Sequence, residues 1–426
     1  MLLTDKYNDI PYLAKWKALI LDFGVDVPDD LLKGYPSIEN YRVKYKVKKP
    51  SVENHKFIDK STNTSVIPAE VIVSANGKKT LVKIGHRDTS PISLILEDGI
   101  FHLIEKDSNK KIDLKIELVA KRLYTAERLP KEINPKTPLL DDFVQVVGLD
   151  RIAIMAYEGC WHQICKKACR FCDANPKREK TESGLPSLNS LVDFEFNESA
   201  WWNSHRADFL AGIEYSMKRI LEIENITPHQ HFQLMAGNII NTEMVWKICE
   251  EIAEVVNKVK PISEFDSYLN LAAPRNDAEK YLKMAKNKMG FNQIEFNLEV
   301  IGEERFAEVC PGKAAIAGYA NTVEMLKKAV DIFGWGKARS NFVLGAQPVE
   351  ELLEGIRDLA GYGIVADYSI FVPKRGTPWE KRKSPDMDTV VYFTKELAKI
   401  YKKHNFKGIY CGLSSRSNIL HEMLDE

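Results

Sequence analysis

Beyond residue 150 the apolar positions of this chain alternate between two periods. Short apolar or alternating runs, Arg151-Ile-Ala-Ile-Met-Ala-Tyr157, His231–Met235, Phe265–Leu271, Gln293–Leu298, Arg339–Leu344, Val365–Phe371 and Gly408–Gly412, read as strands. Between them Glu243–Val259, Asp277–Met289, Thr322–Phe333, Val349–Tyr362 and Asp388–His404 place apolar residues at helical spacing. Strand–helix alternation predicts a parallel sheet with helical crossovers, and so many repeats of the unit predict a full or nearly full βα barrel. Active sites of such barrels lie at the C-terminal ends of the strands.

The first 140 residues follow another pattern. Tyr12–Asp22 is amphipathic and is stopped by Gly24 and Pro28. Short segments follow at Ser65–Ser74, Lys79–Gly85, Ser93–Leu96, Gly99–Ile104 and Ile112–Ile116, punctuated by Asn76-Gly77 and Asp98-Gly99. Both dipeptides suit tight hairpins, because both of their residues tolerate the left-handed conformation. A Pro-rich bridge, Leu129–Leu139, leads on to the first barrel strand. The expected fold is α/β in two domains: residues 1–140, an N-terminal helix with a small, mainly β extension, and residues 141–426, the barrel.

One loop adds chemistry to this outline. After the Arg151–Tyr157 strand and Glu158-Gly159, Cys165, Cys169 and Cys172 stand as C-x-x-x-C-x-x-C, with Phe171 before the last thiol. Three thiolates this close suit one face of an iron–sulfur cluster and leave one iron open. A zinc site is the alternative, with Cys160 and His162 as further donors, although zinc is usually held by two short-spaced pairs and no second Cys pair follows downstream. The alternative of another class is a non-catalytic iron–sulfur or zinc scaffold that keeps the barrel.

Composition narrows the setting. Lys plus Arg and Asp plus Glu are 60 each, which gives no electrostatic case for nucleic acid or an anionic membrane as partner. The chain has seven Cys, an odd number, and no apolar core at its N-terminus. The expectation is a reducing, cytoplasmic location for an oxygen-sensitive centre.

The loop C-x-x-x-C-x-aromatic-C after a first barrel strand resembles that of the radical S-adenosylmethionine (radical SAM) superfamily. The resemblance implies that Cys165, Cys169 and Cys172 ligate a [4Fe-4S] cluster, that SAM chelates its open iron, and that Phe171 supports the adenine. It further implies one-electron cleavage of SAM to a 5′-deoxyadenosyl radical. Ala236-Gly237-Asn238 ends the second strand where the superfamily commonly has Gly-Gly-Glu against the SAM amino group, here without the acid. Asn297-Leu298-Glu299 resembles the ribose-contacting segment of the biotin synthase branch, and alternation along a strand puts Asn297 and Glu299 on one face. Gly345-Ala346-Gln347-Pro348 and Gly376-Thr377-Pro378 resemble later strand ends of that branch, the second lining its adenosyl pocket. The branch's Arg for the SAM carboxylate is missing, since Gly318-Tyr319-Ala320-Asn321 stands there; Arg305 and Lys313 are the substitutes. Cys249 reads as a packing thiol, while Cys310 and Cys411 are candidate catalytic thiols at the barrel mouth, with a structural role as the alternative.

The function so implied is hydrogen abstraction from a small organic substrate or cofactor precursor, leading to methylation, rearrangement or carbon–carbon chemistry. Sulfur insertion, as in biotin and lipoyl synthases, is the alternative, although no second Cys-rich loop supplies a sacrificial cluster. The implied partners are the substrate and an electron donor such as ferredoxin or flavodoxin.

Overall fold

The structure is a computed structural model that describes residues 3–33, 35–45, 66–122, 126–173, 197–223, 231–239, 241–408 and 412–424. It divides into two compact units. The first comprises Met1–Lys121, Asp386–Ala398 and Tyr410–Glu426, and the second Arg122–Pro385 and Lys399–Ile409. The division thus falls some twenty residues before the expected boundary near 140, and part of the C-terminal region groups with the first unit.

The first unit contains α1 (Tyr12–Phe23) and strands β1 (Val43–Tyr45), β2 (Val66–Pro68), β3 (Glu70–Ala75), β4 (Lys78–Lys83), β5 (Ile92–Glu97), β6 (Ile100–Glu105), β7 (Lys110–Lys111) and β8 (Lys115–Leu118). Strands β4-β3-β8-β6-β5 form an antiparallel sheet with β7 on β6, and β1 pairs separately with β2. The β3–β4 turn has Asn76 at φ 52° and Gly77 at 76°, and the β5–β6 turn has Asp98 at 50° and Gly99 at 78°. Two successive left-handed residues match the right-handed twist of the flanking strands. Trp16, Leu19 and Ile20 of α1 share a buried core with Val71, Val73, Val82, Leu94 and Leu103.

Why the C-terminal segment belongs here is a matter of charge. Lys17 is fully buried in α1, and its Nζ donates to Glu422 Oε1 at 2.9 Å, to the Ser415 carbonyl at 2.7 Å and to Thr80 Oγ1 at 3.0 Å. An interior ammonium is costly unless its donors are satisfied, and residues 415–422 supply two of the three acceptors. The Leu81 N–H also donates to the Gly412 carbonyl at 2.8 Å.

The second unit is built on β9 (Gln145–Val147), β10 (Arg151–Met155), β11 (His231–Met235), β12 (Asp266–Asn270), β13 (Gln293–Glu295), β14 (Ala338–Leu344) and β15 (Ile364–Ile370). These form one sheet in chain order, parallel from β10 to β15, with β9 antiparallel on the β10 edge. Among the described residues β9 and β15 do not pair with each other, and the expected last strand, 408–412, has residues 409–411 outside the described part. The helices are α2 (Trp161–Ile164), α3 (Glu198–Ile223), α4 (Thr242–Val259), α5 (Ala278–Lys283, continued by a π-turn, Met284–Lys288), α6 (Glu303–Val309), α7 (Pro311–Ile316), α8 (Tyr319–Phe333) and α9 (Val349–Gly361). Two more close the chain, α10 (Met387–His404) and α11 (Leu420–Leu424).

Alternation along the strands sorts the side chains by chemistry. One face carries Ile152, Ile154, Phe232, Leu234, Leu269 and Ile294, all fully buried, and Phe232 stacks on Phe291 with centroids 6.0 Å apart. The other face is polar and includes Gln233, Asn270, Gln293, Glu295, Arg339, Asn341 and Asp367. Its interior charges are paired. Arg339 forks onto Asp367, Nε to Oδ2 at 2.7 Å and Nη2 to Oδ1 at 3.0 Å, and Nη1 reaches Gln293 Oε1 at 3.3 Å. No helix among the described residues is long and apolar enough to cross a membrane.

Candidate functional site

The loop after β10 is tied down on both sides. Towards β11, the Trp161 N–H donates to the Asn238 carbonyl at 2.7 Å and Tyr157 Oη to the Gly237 carbonyl at 2.5 Å. A Cβ on Gly237 would lie 2.2 Å from the Gly159 carbonyl oxygen, so this approach requires glycine. On the other side, the Arg170 N–H donates to the Val309 carbonyl and the Gly312 N–H to the Lys167 carbonyl, each at 2.9 Å. A Cβ on Gly312 would lie 2.3 Å from the His162 ring. The segment Cys310-Pro311-Gly312 therefore serves as the wall against which the Cys loop packs.

Between these walls lies a cavity whose lining comes from separate stretches of the second unit, with Phe306, Ala317 and Thr322 among its residues. The loop gives Cys160, Cys169, Phe171 and Cys172; the end of β11 gives Ala236, Gly237 and Asn238; the end of β12 gives Asn270 to Ala273; beyond β13 come Asn297 and Glu299; and α7 gives Lys313. Most of the residues singled out in the sequence meet here. Cys165 is exposed and outside the lining, and Gly376 and Thr377 are also outside it. Those two sit in a turn where the Gly376 N–H donates to Glu380 and Thr377 Oγ1 to the Lys374 carbonyl. What that segment brings to the site is Trp379, whose N–H donates to the Arg170 carbonyl at 3.2 Å and whose ring lies 6.2 Å from Phe171.

Cys310 is likewise absent from the lining. It is fully buried beside Cys169, within hydrogen-bonding reach of that thiol. Cys411 lies outside the described residues. Cys249 is buried in α4, and burial pushes its thiol up, as suits a packing residue.

Asn297 and Glu299 reach the cavity by a route other than strand alternation. Strand β13 ends at Glu295, and Glu299 is left-handed at φ 66°. Asn297 Oδ1 accepts the Asn341 N–H at 2.9 Å, which fixes its amide. Glu299 Oε1 meets Lys313 Nζ at 2.5 Å, and Nζ also donates to the Asn297 carbonyl at 3.2 Å. Burial pulls the Lys313 ammonium down, but Glu299 and the neighbouring thiols outweigh it and hold its pKa above the ordinary value. Contact with Cys310 lowers the Cys169 thiol pKa, and the Lys313 charge lowers it further against the effect of burial. A thiol poised towards thiolate is suited to ligate metal. His162, buried beneath the loop, is held neutral: burial, then Lys313 and Lys167, bring it down to about 4.

Three loop thiolates can each take a different iron of a cubane, whereas one zinc needs a fourth donor, for which Cys160 in the cavity lining and His162 beneath the loop are the nearby groups. Among the described residues the His/Cys/Asp/Glu group with ligand atoms within 4.8 Å of one another is Asp26, His86 and Asp88, in the first unit.

Sequence reasoning did not single out Asn270 or Glu295 deeper in the sheet. Asn270 Nδ2 donates to Glu295 Oε2 at 2.9 Å, and Asn297 Nδ2 to Asn270 Oδ1 at 3.5 Å, so a polar relay runs inward from the cavity. Burial, then the nearby Asp367, pushes the Glu295 carboxyl up to about 8. Unfolded, the same group titrates near about 4.3. Between these values the folded state keeps a proton that the unfolded state releases, so this group costs stability as pH rises through the window, with no further change above the folded value. Glu295→Gln should therefore be more stable than the parent at pH 8, on the order of 1–3 kcal/mol, with a smaller difference at pH 5. Thermal unfolding at both pH values checks this, and a difference that does not grow with pH would overturn it.

Fold and site together define an α/β protein whose parallel strands present a three-Cys loop beside a cavity of mixed polar and apolar lining. Over 138 residues, 32% of the chain, the sequence is 29% identical to the bacteriochlorophyllide c C-7(1)-hydroxylase of Chlorobaculum limnaeum, the match covering 34% of that protein. The match thus spans about a third of the length of this curated relative. No protein-family model matches the chain.

Proposed function

We propose that this chain is a radical SAM enzyme with a βα barrel, full or nearly full, whose Cys165, Cys169 and Cys172 hold a [4Fe-4S] cluster beside SAM in the adjoining cavity. The observation that carries the reading is the lining itself: Cys169, Phe171 and Cys172 share one cavity with Ala236–Asn238, Asn297, Glu299 and Lys313, far apart in sequence. When bound, the cluster and SAM supply a 5′-deoxyadenosyl radical that abstracts hydrogen from an organic substrate. The chain's own groups bind and orient. Asn297, with its amide fixed, and Glu299 present acceptors to ribose hydroxyls. Lys313, on the same wall, supplies the cation for the SAM carboxylate that the biotin synthase branch takes from Arg. Arg305 is unsuited to that role, since it pairs with Glu351 at 3.0 Å and lines another cleft. Leu271, Ala272, Ala273 and Phe306 give the cavity an apolar side that excludes water.

Zinc is disfavoured because no second close-spaced Cys pair follows in the sequence, and sulfur insertion because no second Cys-rich loop does. We infer a small organic molecule or cofactor precursor as substrate. The similarity to a bacteriochlorophyllide hydroxylase supports an organic ring system as one member of that class.

Anaerobic protein incubated with SAM and dithionite should release 5′-deoxyadenosine and methionine. Their absence from protein with an intact cluster would refute the proposal.

A further inference from the structure

The second unit has another cleft, which shares no lining residue with the cavity beside the Cys loop. It holds about 380 Å³ at the C-terminal end of β14 and is lined by the β14–α9 loop, helix α6, Trp379 and Arg382. Gln347, in that loop, is 7% exposed. Its Oε1 accepts the Ile301 N–H at 2.6 Å. Exchanging the amide oxygen and nitrogen would set donor against donor, so this bond fixes the orientation of the side chain. Gln347 Nε2 is left buried, with no hydrogen-bond partner among the described residues. A buried amide donor without an acceptor is costly and rare, and one in the wall of a cleft marks where the acceptor of a ligand belongs.

Arg382 brings further donors to the same cleft. Its guanidinium lies 4.0 Å from the Trp379 ring centroid, and Nη2 donates to the Gly345 carbonyl at 3.1 Å, two residues along the loop from Gln347. Stacking and this bond hold the group in place, while its remaining N–H groups have no hydrogen-bond partner among the described residues. Arg305, also in the lining, is committed to Glu351 at 3.0 Å. Glu308 is the acid of the lining, and it is exposed.

We infer that this cleft is a second ligand site and takes the carboxylate of a small organic acid, with Gln347 Nε2 and the Arg382 guanidinium as its donors. A carboxylate is planar and presents two acceptor oxygens, which suits a fixed amide donor and a guanidinium fork. Charge selects it over a phosphate dianion. With Arg305 paired to Glu351, Arg382 is the lining cation left to face both Glu308 and the ligand, and this accommodates one negative charge better than two. The inference depends neither on the cluster nor on SAM.

The test uses the full chain with benzoate as probe, followed by saturation-transfer NMR and calorimetry. The parent should bind benzoate with a Kd on the order of 1 mM or below, and inorganic phosphate about tenfold more weakly or not at all. Gln347→Glu keeps an acceptor for the Ile301 N–H but replaces the donor with a second acceptor, and Arg382→Met removes the charge at an exposed position. Each should weaken benzoate about tenfold or more. Arg382→Met should unfold at the temperature of the parent, and it decides alone should Gln347→Glu fail to fold. No benzoate binding by the parent, or equal affinity in parent and Arg382→Met, overturns the inference. Phosphate binding as tight as benzoate overturns the choice of a carboxylate, and displacement of benzoate by added SAM overturns the separateness of the site.

Discussion

Anaerobically purified Cys169→Ala should lose its near-visible absorbance and fall from about four irons per chain to nearly none. The effect is all or none because the cubane needs a protein thiolate at each of three corners. Cys169 is the member of the three that is buried in the wall, beside Cys310 and under the influence of the Lys313 charge, so its loss removes the ligand seated deepest in the site. Cys165→Ala and Cys172→Ala should give the same result, since two thiolates cannot hold three corners of a cubane. Cys249→Ala should keep full iron, because that thiol is sealed in α4. Cys310→Ala should keep it too, which would place Cys310 behind the ligand instead of among the ligands. Iron and sulfide analysis alongside absorbance decides the matter. Wild-type iron in Cys169→Ala, or zinc in parent protein never exposed to oxygen, would sink the assignment.

Parts of this arrangement were legible in the sequence because they depend on local chemistry. Apolar runs such as His231–Met235 and Ile364–Ile370 are strands in the structure within a residue of the expected bounds, since a strand buried against helices needs a continuous apolar face. The Asn76-Gly77 and Asp98-Gly99 hairpins follow from two residues each. The Cys loop, the end of β11 and the Asn297–Glu299 segment were recognisable as motifs, and they meet in one cavity.

What was not legible depends on distant partners or on direction. The grouping of residues 410–426 with the first unit turns on Lys17 and Glu422, 405 positions apart, and no local pattern reports that pair. Gly376-Thr377-Pro378 stands in the expected order, yet order along the chain does not say which way a turn points; the contribution of that segment is Trp379. Glu299 was expected inward by strand alternation, but the strand has ended before it. A left-handed residue and the Lys313 contact bring it to the cavity. Helix α3, 26 residues long, was not anticipated, because Ser, His, Arg and Trp are interspersed in its first half and blur the apolar stripe that marks a surface helix.

The pair Lys313–Glu299 carries the second large expectation. Both side chains are mostly buried, at 16% and 10% exposed. Lys313→Met leaves the Glu299 carboxylate without its counter-charge, and orphaning one member of a buried pair costs more than the pair itself contributes. The expected loss is about 2–4 kcal/mol of unfolding free energy, somewhat below the full interior penalty because the site lines a cavity. Glu299→Gln combined with Lys313→Met should recover most of that stability, since a neutral amide needs no counter-ion. Affinity for SAM should behave differently. If Lys313 meets the SAM carboxylate and Glu299 the ribose, the double variant stays weak in SAM binding although it is as stable as the parent. Denaturation and calorimetric SAM titration on the parent, both single variants and the double variant separate the two effects. Failure of the double variant to regain stability would show that the pair is not what holds this wall, and SAM affinity that returns with stability would reduce Lys313 to a purely structural role.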